Sequence, residues 1–186
     1  MKGKFYMGLD VGGSKISAAL VDTKGQMSLL RRQSTPEDGK LAQDLLIEMG
    51  RGLQQHASEG SATIVGVGIG FGGPVDYPSQ RVRRSHHTEG WEVNLPLAQM
   101  VGEQLGLPTR IDNDANTAAL GEALFGAGKG KERILYINVV PALVAAWCAS
   151  SRSTMAPIAT PGRSATAFCR KTAPDVPADI VAASRP

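Results

Sequence analysis

The run Phe5-Tyr6-Met7-Gly8-Leu9-Asp10-Val11-Gly12-Gly13-Ser14-Lys15-Ile16-Ser17-Ala18-Ala19-Leu20-Val21 decides the fold. It holds two apolar stretches, Phe5 to Asp10 and Ile16 to Val21, each of strand length. An acid closes the first, and a pair of glycines connects it to the second. Asp22-Thr23-Lys24-Gly25 is a turn signal, and Met27 to Leu30 is a third apolar stretch. The pattern predicts three strands in a meander. The first connection carries the glycines, so it can approach a ligand closely.

Beyond the meander the period changes. Over residues 38 to 57, Leu41, Leu45, Leu46, Met49 and Leu53 fall on one helical face. Gly50 and Gly52 weaken that helix by roughly 1 kcal/mol each if exposed. Ile64 to Gly70 alternates β-branched residues with glycine, which suits a strand lying hard against another element. Phe71 to Asp76 is a loop. Pro96 opens a second helix, with Leu97, Met100, Val101 and Leu105 on its apolar face. Pro108 to Ile111 is a short strand. Asp112-Asn113-Asp114 then caps a helix from Ala115 to Leu124, whose small residues allow close packing and which Gly126 ends. Arg133 to Val140 is one more strand. Strands alternating with helices after an opening meander define an α/β domain.

The bulk composition narrows the function. The chain has 186 residues, enough for one domain with a real core, and a formal net charge of +3. Basic residues are scattered apart from Arg81, Arg83 and Arg84, so a nucleic-acid partner is not implied. Aromatics make up only 5%, too few for a stacking platform. No apolar stretch is long enough to span a bilayer, and no signal peptide is visible, so a cytoplasmic protein is expected. Cys148 and Cys169 share neither disulfide nor metal-ligand spacing.

Four places can carry chemistry. In Asp10-Val11-Gly12-Gly13-Ser14-Lys15, an acid at a strand end suits a magnesium ion held through water. The glycine turn lets backbone N–H groups face phosphate oxygens, and Ser14 and Lys15 add a hydroxyl and a positive charge. It is neither a Walker A loop nor a dinucleotide fingerprint. A plain hairpin turn with Lys15 in water is the competing reading. At Asn113-Asp114, a carboxylate held at a helix start suits the base that phosphoryl transfer to a hydroxyl requires, and Asn113 can bond neighbouring hydroxyls. A simple helix cap explains the same residues. Gly72 and Gly73 can present N–H groups to a sugar, with Glu89 bonding a hydroxyl. His86 and His87 are adjacent, so in a strand they point opposite ways and suit one metal ion poorly. Trp91 suits a packing anchor better than a stacking platform. Lys129 and Lys131 among the glycines after Glu122 read as an exposed connection, although a phosphate loop has similar composition.

Taken in order, residues 5 to 140 resemble the ROK family of bacterial sugar kinases and repressors. The resemblance rests on Gly8 to Ile16, Gly68 to Asp76, Ser85 to Leu97 and Ile111 to Gly130. The run Asn113-Asp114-Ala115-Asn116-Thr117-Ala118-Ala119-Leu120-Gly121-Glu122 with Gly126-Ala127-Gly128 is its most specific part. The resemblance implies the ribonuclease-H-like domain of actin-like ATPases, and an ATP-dependent kinase phosphorylating a hexose, by likeness at its 6-hydroxyl. It implies that Asp10 organises magnesium and that Gly12, Gly13, Ser14 and Lys15 line the phosphates. Asp114 becomes the base, while Asn113, Gly72, Gly73 and Glu89 hold the sugar. Intact relatives are homodimers or tetramers, and the donor is ATP or polyphosphate. Repressors of the family carry a winged helix-turn-helix ahead of this domain; the first strand here starts near residue 5, which favours the kinase branch. A non-enzymatic sugar-binding or regulatory fragment is the alternative.

The tail departs from this pattern. Residues 1 to 140 hold 21 glycines and residues 141 to 186 only Gly162, against twelve alanines and six prolines. The expectation is two regions: 1–140 as the family domain, and 141–186 as a non-homologous, disordered tail. By resemblance, the last strand should lead into Gly-Thr-Gly-Ile-Gly-Gly-Gly. Coding DNA for valine and that loop, GTN GGT ACC GGC ATT GGT GGC GGC, reads GTN GTA CCG GCA TTG GTG GCG GC after loss of one G. That translates as Val139 to Ala145 of this chain and begins the codon of Ala146. A frameshift therefore accounts for the tail, with the family loop as input. The second lobe and the family's zinc site, a histidine and three cysteines, are then absent. Without a closing lobe to exclude water and position the phosphoryl group, kinase activity is expected to be lost.

Overall fold

The computed structural model describes residues 2–83, 91, 93–131, 133–139 and 143–149. Strands β1 (Gly3–Val11), β2 (Lys15–Asp22) and β3 (Met27–Ser34) form the meander, and β3 runs one turn of sequence further than its apolar part. Helix α1 (Gly39–Glu59) leads to β4 (Ala62–Phe71), then to a small hairpin, β5 (Val75–Asp76) with β6 (Arg81–Val82), which the sequence pattern did not suggest. Helix α2 (Leu97–Leu105), β7 (Thr109–Asn113), α3 (Asp114–Leu124) and β8 (Arg133–Val139) follow. A last strand, β9 (Leu143–Ala149), pairs antiparallel with β8. These seven residues fall within the region expected to lack regular structure. They are free of proline, and their pairing with β8 rather than their own composition gives them strand form. Residues 151–186 lie outside the described residues.

The main sheet has the order β3-β2-β1-β4-β7. Strands β1, β4 and β7 are mutually parallel, while β2 and β3 alternate in direction. The carboxyl ends of β1, β3, β4 and β7 and the start of β2 therefore share one rim. Alternation along β1 sends Phe5, Met7, Leu9 and Val11 to a single face, where they meet Val67, Ile69 and Phe71 of β4. Helices α1 and α2 cover that face through Ala42, Leu46, Met49, Leu53, Val101 and Leu105. Leu41 stands 59% exposed, because the buried stripe of α1 runs instead through Ala42 and Ala57. Each large aliphatic side chain fully removed from water here contributes about 1.5–3 kcal/mol.

Gly50 belongs to this packing. A Cβ on it would lie 2.8 Å from Leu105 Cδ1 and 3.5 Å from Met7 Sδ, so glycine lets α1 close on α2. The loss of helix propensity is offset by interhelical contact. Gly25, at φ +81, turns the chain between β2 and β3 against the ring of Phe125. Helix α3 packs on β4 and β7 and, through Ala115, Ala119 and Leu120, against Ile134 and Tyr136 of β8. Leu135 and Ile137, on the alternate positions of β8, are exposed.

Strand β7 is an edge of the sheet, and a side chain closes part of that edge. Gln80 sits in the left-handed region at φ 56. Its Oε1 accepts from the Ile111 N–H at 2.9 Å, and its Nε2 donates to the Ile111 carbonyl at 3.4 Å. The amide thus pairs with β7 as a neighbouring strand's peptide would.

Candidate active site

The rim at the strand ends gathers the predicted residues. In the register of the sheet, Asp10 lies beside Gly70 and Gly70 beside Asp112; on the other side Asp10 lies beside Ser17, and Ser17 beside Arg32. Cross-strand neighbours project to the same face, so Asp10 and Asp112 share a face with Gly70 between them, opposite the α1–α2 core. Gly70 has no side chain, which leaves room between the two carboxyls.

Asp114 is the first residue of α3, one step past this row. Its Oδ1 accepts from the Ala115 N–H at 2.8 Å. Its Oδ2 lies 3.6 Å from the point where a Cβ on Gly72 would stand, a point 3.5 Å from Gly12 Cα. Gly12, Gly72 and Asp114 therefore meet at one point, and Asp10 stands close enough to Asp114 to feel its charge. Burial and the Asp114 charge push the Asp10 carboxyl up to about 6, while Lys15 and Arg32 oppose the rise.

The N-cap of α3 is Asn113 rather than either flanking aspartate: its Oδ1 accepts from the Ala115 N–H at 3.0 Å. Its Nδ2 donates to the carbonyl of Gly73 at 3.1 Å and to that of Phe71 at 3.4 Å. One amide thus ties the start of α3 to the loop after β4. Asp112 is neither cap nor surface group. Its Oδ1 accepts from Asn116 Nδ2 at 2.9 Å and from the Asn113 N–H at 2.7 Å. Burial nonetheless pushes its carboxyl up to about 6, with those two hydrogen bonds opposing.

The glycine turn is a hairpin: the Gly12 N–H donates to the Lys15 carbonyl at 3.0 Å. The hairpin and ligand-facing readings are not exclusive, since this turn stands on the same rim as Asp10. Gly13, Ser14 and Lys15 are exposed there. The loop Gly72-Gly73 behaves otherwise than expected. Its N–H groups donate to the carbonyls of Val11 and Phe71, each at 2.8 Å, so these donors are engaged within the protein. What the loop supplies is close approach. A Cβ on Gly72 would stand 3.2 Å from the Val11 carbonyl oxygen, tighter than ordinary contact. Glu89, with His86 and His87, lies outside the described residues. Trp91 is buried, edge-on to Phe71 at 5.2 Å, as a packing anchor. The connection after α3 is exposed at Ala127, Lys129 and Gly130, but Gly128 is buried, where a Cβ would stand 2.6 Å from Ile134 Cγ2; the Ala127 N–H donates to Glu122 Oε2 at 2.9 Å.

The five-stranded mixed sheet is that of the actin-like sugar-kinase fold. The ROK family model matches residues 6–141, and the chain belongs to that family. It is 33% identical over 133 residues to a glucokinase of Streptomyces coelicolor, covering 72% of this chain and 40% of that protein. It is 27% identical over 139 residues to the xylose repressor of Bacillus subtilis, covering 74% of this chain and 35% of the repressor. Among solved structures it resembles a ROK family glucokinase from Streptomyces griseus in complex with glucose and AMPPNP. That match has a TM-score of 0.71 at 31% identity and covers 88% of this chain and 48% of the other. The chain thus spans less than half the length of these relatives. Among the described residues no helix is long and apolar enough to cross a membrane.

Proposed function

We propose that this chain carries the sugar-side half of an ATP-dependent hexose kinase site. Asp114 orients the acceptor hydroxyl and takes its proton, and Asp10 with Gly12 to Lys15 holds the donor phosphates. The observation that supports this reading is that the Asp10 and Asp114 charges feel each other at the rim, with Gly72 lying against Asp114 and Gly12. Phosphoryl transfer is largely positioning and charge stabilisation, and it needs one carboxylate at the acceptor and another at the phosphates. The glucose and AMPPNP bound by the Streptomyces griseus relative support both halves.

Asp10 fits a magnesium ion. Its carboxyl is held back from ionising by burial and by Asp114, and a hard divalent cation relieves both. Asp10 would hold the ion through water, with phosphate oxygens and further waters supplying the rest of its ligands. Bound magnesium supplies charge neutralisation of the triphosphate. Asn113 holds the Asp114 end of α3 against the Gly73 loop and so fixes the base; a direct sugar contact from its amide is secondary to that task. The family's zinc site does not fit a chain with two cysteines, and no step runs through it.

We further propose that residues past about 140 are read in a shifted frame, and that the chain alone does not turn over. The end of the family match at residue 141 supports the first point. A coupled ATP assay across a hexose panel, run beside a sugar titration followed by tryptophan fluorescence, tests the whole. Saturable sugar binding without turnover is expected. Robust turnover refutes the loss of activity, and a folded chain that binds no hexose sinks the acceptor assignment. The nucleotide sequence past codon 139, read in the alternative frame, should show the glycine loop. A regulatory sugar-binding role is the second reading, favoured by the match of a repressor over the same stretch. It predicts sugar binding with no response to magnesium–nucleotide.

A further inference from the structure

We infer that Thr35 is the positioning residue that aims the Gly13 N–H at the donor phosphate; this rests on the phosphate reading of the glycine turn. Thr35 follows β3 and meets the turn twice. Its Oγ1 donates to the Gly12 carbonyl at 2.8 Å, and its N–H donates to the Ser14 carbonyl at 3.1 Å. A trans peptide is planar, with its C=O and the following N–H opposed. Holding the Gly12 carbonyl toward Thr35 therefore turns the Gly13 N–H the other way.

Sheet order says what lies that way. Thr35 stands on the β3 side of β1, and β4 and β7 stand on the other. The adjoining peptide agrees: the Val11 carbonyl accepts from Gly72 on the β4 side, and the Gly12 N–H donates to Lys15 on the β2 side. The next peptide is reversed by Thr35, so the Gly13 N–H faces the Gly72–Asp114 side of the rim. It has no acceptor among the described residues, and Gly13 is exposed. A backbone donor at the site, unmatched and oriented from behind, suits an anionic oxygen. The side chain that orients it touches no ligand itself. A serine keeps the bond to the Gly12 carbonyl, whereas the near-isosteric valine loses it.

The test is an amide NMR titration of the full chain with magnesium tripolyphosphate, following the Gly13 resonance. In the wild type that resonance moves saturably. Thr35→Val should raise the apparent Kd about fivefold, the worth of one neutral hydrogen bond, with the hexose affinity kept. Thr35→Ser should restore it. Should Thr35→Val fail to fold, Thr35→Ala reads the same quantity. A valine or alanine variant with wild-type affinity overturns the inference while leaving the phosphate site standing. Equal losses of sugar and polyphosphate binding overturn it too, since they make Thr35 merely structural. A wild-type chain whose Gly13 resonance never moves removes the phosphate reading, and the inference with it.

Discussion

Asp10→Asn should make the protein more stable at neutral pH and leave it unchanged in acid. In the unfolded chain this carboxyl ionises near its ordinary 3.8; in the fold it is raised to about 6. Below 3.8 both states hold the proton, and the folded state keeps its full advantage. Between the two values the unfolded chain has released a proton that the fold retains, so stability falls as pH rises. Above 6 the contribution is gone. The swing is at most about 3 kcal/mol. An asparagine does not titrate and removes the fall. Asp112 is raised to the same value, so the wild type carries two such falls over one window. Urea unfolding at pH 4 and pH 7.5, followed by fluorescence of the buried Trp91, measures this. Each single variant should lose about half of the pH slope, and Asp10→Asn with Asp112→Asn nearly all of it. Because the Asp114 charge is the second cause of the shift, Asp114→Asn should shrink the Asp10 contribution as well. A variant lacking Asp10 but keeping the wild-type slope refutes the assignment of burial and mutual repulsion at this rim.

Three further outcomes follow from the packing. Asn113→Ala removes a helix cap and the tie to Gly73, and should cost about 1–2 kcal/mol in urea unfolding while increasing hydrogen exchange at the Gly72 loop. Gly25→Ala forces a side chain into the left-handed region and onto Phe125, where a Cβ would stand 2.4 Å from Cγ; a loss of about 1–3 kcal/mol is expected in the same assay. Leu53→Ala, in the buried stripe of α1, should cost about 2–5 kcal/mol with hexose affinity unchanged.

Local signals served the elements well and the site only in part. The meander, α1, α2 and α3 were legible because apolar period and glycine punctuation are local. The convergence of Asp10 with Asp114 was legible through the family resemblance, since no local pattern brings residues from β1 and α3 together. An acid before a helix is ambiguous between cap and site; the register Asp10–Gly70–Asp112 and the hydrogen bonds from Asn113 and Asn116 show Asp112 to be a half-buried rim carboxylate. Arg32 enters by the same register, through Ser17. A glycine pair such as Gly72-Gly73 says that the backbone comes close, not whether its N–H groups are already engaged. The β5–β6 hairpin escaped notice because two residues a side leave no period to detect.

The amide of Gln80 has a bearing on how this chain behaves among its copies. A parallel sheet ending in an uncovered strand invites another molecule to add on. With Ile111 already matched in both directions by a glutamine, an incoming chain finds no donor–acceptor pair at that point. The far border of the sheet, β3, carries Arg31 and Arg32, whose charges repel a second copy in like fashion. Self-association of the folded domain should therefore begin elsewhere, at exposed apolar side chains such as Leu41, Val93, Leu135 and Ile137.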